Sequence, residues 1–148
     1  MSKLRWSNIP IPEGHVIVLV LGIALHLWKP FGITQTTWLI YLLAGPLLLV
    51  GILLAAWAVT TVNAIDISKP AMIITTGPYA FSRNPMYVAW MLIYLGVALI
   101  MNTAWLTMLL PILILFTHYF VIRQEEHQLE KLFGEPYRQY CARVRRYL

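Results

Sequence analysis

The chain reads as an all-α integral membrane protein. Three observations carry that reading. Hydrophobic residues make up 59% of its 148 residues and charged residues only 11%, against roughly 25% charged in an ordinary soluble domain. The apolar residues fall into runs of helical, near-bilayer length. The Lys and Arg residues gather at one end of those runs. A soluble domain of this length could not hide so much apolar surface, so lipid is the solvent for most of the chain. The length suggests one membrane-embedded domain spanning residues 1–148.

A bilayer core is crossed by about 20 apolar residues in a helix. The first run, about 15–28, follows Lys3 and Arg5. Lys29-Pro30-Phe31 follows it in place of a small-residue cleavage site, so it is predicted to stay with the chain. The second run, about 38–62, is long. The third, about 86–101, would rise only about 24 Å, and is expected to cross a thinned region or begin inside the headgroup layer. Asn102-Thr103 alone separates it from the fourth run, about 104–121, which predicts an antiparallel helical hairpin. Pro111 is expected to kink that fourth helix.

The segment 122–148 is predicted to be an ordered tail. RQEEHQLEKLF continues the fourth helix, Gly134 stops it, and Pro136 suits the first turn of a last helix. There Tyr137, Tyr140, Cys141 and Val144 form one apolar stripe. Such a helix suits the membrane surface. The other reading is that the stripe packs over the 63–84 loop and closes a site.

Four spans predict both termini on one side. Lys3, Arg5, Lys69, Arg83, Arg123, Lys131, Arg138, Arg143, Arg145 and Arg146 sort to that side, and Lys29 alone to the other. The positive-inside rule makes it the cytoplasmic side, with a bacterial inner membrane as the expected location. The net charge of +5 is then topology and contact with anionic headgroups, which leaves no role for nucleic acid. Cys141 is the single cysteine, so no intrachain disulfide can form. There is no GxGxxG, no P-loop and no Cys/His pattern with zinc spacing, and no metal is expected.

Between the second and third runs stands TTGPYAFSRNPMY, residues 75–87. Gly77 permits a positive φ and Pro78 fixes the next residue. Asn84 is a good N-cap and Pro85 is pre-shaped for the first helical position. The free N–H groups of that helix end favour an anion, and Arg83 adds a full charge. Tyr79, Phe81 and Tyr87 place rings around it. Because the hairpin is tight, Arg123, Glu125, Glu126 and Glu130 return to the same place. Adjacent carboxylates point about 100° apart on a helix, so one of the Glu125-Glu126 pair can face a site while its neighbour faces solvent or Arg123. Each cluster alone also suits an ordinary membrane exit; their convergence predicts a site.

GPY, RNPxY, EExxL, FGxxYxxY and VxR occur in order from Ile73 to the end of the chain. In this the chain resembles the isoprenylcysteine carboxyl methyltransferase family, in its short bacterial members within the wider group of integral-membrane methyltransferases. The resemblance implies methyl transfer from S-adenosylmethionine, leaving S-adenosylhomocysteine, to a lipophilic acceptor. It implies that Ile73, Ile74, Tyr79, Asn84, Pro85, Met86, Tyr87 and Glu125 hold the cofactor, and it associates Arg123 with the acceptor. The eukaryotic members carry His where this chain has Asn84, and asparagine cannot take a proton at neutral pH. Their arginine lies four residues before the first Glu, whereas Arg123 lies two before Glu125.

The sulfonium donor is already activated, so the protein's task is alignment and exclusion of water. A carboxylate acceptor needs no base. An amine or phenol must lose a proton, for which Glu126, His118 and His127 are the nearby candidates. His15 and His26, in the first run, are expected to be neutral and hydrogen-bonded. Other acceptors stay open, a phospholipid amine or a phenolic lipid among them. So do an NADPH-dependent membrane reductase and a non-enzymatic membrane subunit.

Overall fold

The computed structural model describes residues 13–34, 37–62 and 72–147. Lys3, Arg5 and Lys69, which entered the charge argument, lie outside them. The described residues form helices α1 (Glu13–Trp28), α2 (Thr37–Val62), α3 (Pro85–Ile100), α4 (Ala104–Phe116), α5 (Arg123–Phe133) and α6 (Glu135–Arg143). A 3-10 turn (Gly77–Ala80) precedes α3, and a π-helical segment (Thr117–Ile122) joins α4 to α5. The all-α expectation holds.

The expectation of four crossings holds only in part. Two helices are long and apolar enough to cross a bilayer, Ile40–Val62 and the continuous run Ala104–Phe133. The apolar part of the second ends at Ile122, and Arg123–Phe133 is its polar extension. α1 and α3 are apolar but have 16 residues each, about 24 Å of rise against a hydrocarbon core of about 30 Å.

α2 and α3 pack closely because two glycines bring them together. A Cβ on Gly51 would lie 2.8 Å from Cγ1 of Ile93, and one on Gly96 would lie 2.6 Å from Cγ of Leu48. In lipid, where apolar burial does not drive helices together, such close approach is a main source of association. Tyr94, Ala98, Leu106 and Leu113 form a buried cluster between α3 and α4, covered by Val18, Leu19 and Ile23 of α1. The helix runs on through Pro111. Its irregularity comes six residues later, in the π segment, a form found mostly as single turns at functional sites.

The α3–α4 turn is fastened by the link between α1 and α2. Asn102 takes a positive φ of 47°. Its Oδ1 accepts from the backbone N–H of Ile33 (2.9 Å) and Thr34 (3.2 Å), and its Nδ2 donates to Thr34 O (2.9 Å). Ala104 N–H donates to Phe31 O, and Trp105 Nε1 to Lys29 O. Lys29 therefore sits at the hairpin end. Arg83 and the cations of α5, α6 and the residues after them sit at the other.

Candidate functional site

At that other end three pieces of chain meet. Gly77 has φ +60°, and a Cβ there would lie 2.5 Å from Oγ1 of Thr61. Only glycine combines that backbone with that approach, so the 3-10 turn packs on the end of α2. There Tyr79 joins a cluster with Ala58, Val59 and Met86. The loop then enters α3 at Pro85.

Asn84 holds the N-cap position but its side chain makes no cap hydrogen bond. Its Nδ2 donates instead to Arg146 O (3.1 Å), and its N–H donates to Ser82 Oγ (3.1 Å). The chain end competes for the side chain, so the capping expectation fails. Ser82 and Arg145 form a short parallel bridge, with Arg83 N–H donating to Arg145 O at 2.9 Å. Tyr140 Oη donates to Tyr79 O at 2.7 Å. Residues 137–146 therefore strap the loop to the start of α3. Tyr137 and Tyr140 are buried at 4% and 5% exposure. The membrane-surface reading of α6 is thereby corrected: those two tyrosines turn inward, over the loop.

Strap, loop and α5 enclose a cavity of about 430 Å³, within the range of small-molecule sites. Ile73, Ile74, Tyr79, Asn84, Pro85, Met86, Tyr87, Glu125 and Glu126 all line it. Tyr87 Oη donates to Glu125 Oε1 at 2.8 Å, so the start of α3 and the first turn of α5 meet across its wall. Glu125 lines the cavity and stays in contact with solvent. Partial removal from water raises its pKa above the ordinary carboxylate value, and the Tyr87 hydrogen bond opposes that shift. Burial likewise pushes the Tyr79 phenol up to about 12, with Tyr140 and Glu125 adding to the shift, so it stays a neutral hydroxyl.

Glu126 is differently placed. Arg146 Nε lies 3.0 Å from both its oxygens and Arg146 Nη2 lies 2.6 Å from Oε2. Arg83 Nη1 lies 3.2 Å from Oε1. A carboxylate held by two guanidiniums is a structural node with its lone pairs engaged. His118 is also engaged, its Nδ1 lying 2.6 Å from Tyr147 Oη. Arg123 does not line this cavity; its guanidinium lies 5.7 Å from the centre of the Tyr119 ring. Phe81 is 67% exposed and also stays outside. Buried His15 has an Nε2 with no hydrogen-bond partner among the described residues, and its ring centre lies 6.5 Å from that of Tyr87.

Sequence reasoning missed the lining residues Val62, Met72, Gln128, Leu129 and Leu132. They carry no chemistry that would mark them. It also missed Arg146 as the partner of Glu126, although Val144-x-Arg146 stands in the chain as VxR.

The cavity can hold a molecule with a cationic centre and a sizeable apolar or aromatic part. Glu125 supplies the negative charge, four tyrosines line the cavity with aromatic groups suited to a cation, and Met72, Leu129 and Leu132 supply apolar wall. Comparison with curated proteins and with solved structures gives no match. The family model for phospholipid methyltransferase matches residues 39–136. That span takes in α2, the loop, the hairpin and Glu125. It puts the chain in the same integral-membrane methyltransferase superfamily as the carboxyl methyltransferases that its motifs resemble, without selecting those enzymes. On that match the chain belongs to the phospholipid methyltransferase family.

Proposed function

We propose that the protein is an integral-membrane methyltransferase that uses S-adenosylmethionine to methylate a lipophilic acceptor at the cytoplasmic face of the membrane. α2 and the apolar part of α4 would cross the bilayer, with α1 and α3 packed beside them as shorter apolar helices. Both termini lie in the cytoplasm, and the inner membrane of a bacterium is the expected setting. The supporting observation is the Tyr87–Glu125 hydrogen bond at 2.8 Å, which ties the two halves of the motif pattern together on one cavity.

Ile73, Ile74, Tyr79, Asn84, Pro85, Met86, Tyr87 and Glu125 would hold the cofactor. When bound, it supplies an activated methyl group. Glu125 is the carboxylate of the cavity with no arginine partner among the described residues, so it is the group to attract the cofactor's positive charge. Tyr87 fixes its orientation. Tyr137 and Tyr140, brought in by the strap, help to exclude water from the cavity. The apolar residues at the ends of α2 and α5 leave a lipid side to the site. A polar donor then enters from water and the acceptor enters from the bilayer.

The family match favours a lipid amine, of the phospholipid type, over a prenylcysteine carboxylate. An amine must arrive as the free base to attack a methyl group. Glu126, clamped by Arg83 and Arg146, is poorly placed to accept that proton and acts as a positioning residue for the strap. Arg123 lies outside the cofactor cavity. Calorimetry of the full chain in detergent tests the reading. S-adenosylhomocysteine is expected to bind and NADPH is not. Binding of neither would leave a membrane subunit without enzyme function, and binding of NADPH alone would point to a reductase. Incubation of membranes with methyl-labelled cofactor, followed by lipid extraction, identifies the acceptor; label in a carboxyl ester would refute the amine.

A further inference from the structure

On the far side of the Arg83–Glu126 pair lies a second cavity, of about 360 Å³. Arg83, Glu126 and Tyr137 form the wall it shares with the cofactor cavity. Its charge is unbalanced. Four arginines, Arg83, Arg123, Arg138 and Arg146, face two carboxylates, Glu126 and Glu130. Glu126 is taken by Arg83 and Arg146, and Glu130 by Arg138 at 2.8 Å. Arg123 has no carboxylate partner among the described residues and rests only on the Tyr119 ring. Arg83 has a buried Nε–H with no acceptor among the described residues. A buried donor of that kind calls for a partner, and a cluster of guanidinium forks matches an oxyanion with several acceptor oxygens. Arg123 opens α5, immediately after the end of the apolar stretch at Ile122, at the depth where lipid phosphates lie.

We propose that this second cavity is an anion site for a phosphate group, supplied either by a lipid phosphodiester or by free phosphate. The group would bind Arg123 and the rim guanidinium of Arg138, with His127 beside them. It would share the Arg83 side chain with the cofactor cavity's wall. The site does not depend on which methyl acceptor is used, nor on methyl transfer at all.

The test uses the full chain in neutral maltoside micelles. Binding of inorganic phosphate is measured by titration calorimetry, with chloride holding the ionic strength constant. Saturable binding is expected, weakened about tenfold by Arg123→Gln and largely kept by Arg123→Lys. Arg138→Gln is the second variant should Arg123→Gln not fold, and it is expected to weaken binding by severalfold. Dihexanoyl phosphatidylglycerol is then titrated against phosphate, with the phosphate-free dihexanoylglycerol as control. Displacement by the phospholipid alone identifies a lipid headgroup as the source, and failure to displace identifies free phosphate. Absence of saturable binding by both probes overturns the site. So does an affinity that neither glutamine variant changes.

Discussion

The two polar ends of this helical unit are built on opposite plans. At the hairpin end, Asn102 sits in the three-residue link between α3 and α4, and its amide is bound to the backbone of Ile33 and Thr34. The polarity there closes a turn. At the other end, loop and strap are also tied to each other, through Asn84, Tyr140 and the Ser82–Arg145 bridge. Yet that end keeps a cavity of about 430 Å³ and a carboxylate, Glu125, held by a single tyrosine. The same contrast recurs between neighbours on one helix: Glu126 is fixed by two arginines, whereas Glu125 faces the cavity. Polarity at a membrane boundary is structural where its hydrogen bonds are used up, and available for chemistry where they are not.

The sharpest way to break this contrast is at Glu126. Glu126→Gln leaves the guanidiniums of Arg83 and Arg146 without their countercharge at a largely buried position. We expect a loss of about 3 kcal/mol in stability, read by denaturant unfolding in micelles, with the strap released. Glu125→Gln should do the reverse. Stability is expected to change by less than about 1 kcal/mol, while S-adenosylhomocysteine affinity falls by roughly thirtyfold, about 2 kcal/mol, in calorimetry.

Asn102→Ala tests the hairpin end. Loss of its backbone hydrogen bonds, at a residue with positive φ, should cost about 2 kcal/mol of stability with cofactor affinity unchanged. An affinity loss there would erase the distinction between the two ends. Tyr87→Phe removes only the hydrogen bond to Glu125 and is expected to weaken binding by about fivefold.

The smallest effect is in pH. The Glu125 carboxyl is raised in the folded protein, so its contribution to the stability of the free protein is present below the ordinary glutamate pKa and is lost as pH rises through the raised value. Affinity for a cationic ligand runs the other way and falls as pH drops through that value. The fall should begin above the ordinary carboxylate range, and Glu125→Gln should abolish it.

The helices were legible because lipid imposes length and composition on them. Among the described residues α3 begins at Pro85 and α4 at Ala104, where Asn84-Pro85 and Asn102-Thr103 interrupt the apolar pattern. Convergence of the loop with α5 was also legible, because so short a turn leaves a hairpin no other way to fold. Three features were not. The crossing lengths of α1 and α3 fall short, since 16 apolar residues fit either a thinned bilayer or a buried helix. The π segment at Thr117–Ile122 leaves no compositional mark. The inward turn of α6 depends on pairings across some sixty residues of sequence, such as Tyr140 with Tyr79, that a helical stripe cannot distinguish from membrane contact. Asn84 belongs with these: asparagine before proline is an ordinary cap, and only the folded tail reveals a better partner in Arg146 O.

The most direct measurement is photolabelling of the full chain with methyl-labelled S-adenosylmethionine under ultraviolet light, followed by peptide mapping. Label is expected in segments 72–87 and 125–140, and excess S-adenosylhomocysteine should suppress it. Label at the Lys29–Asn102 end, or label that the competitor leaves untouched, would contradict a donor site between α3 and α5.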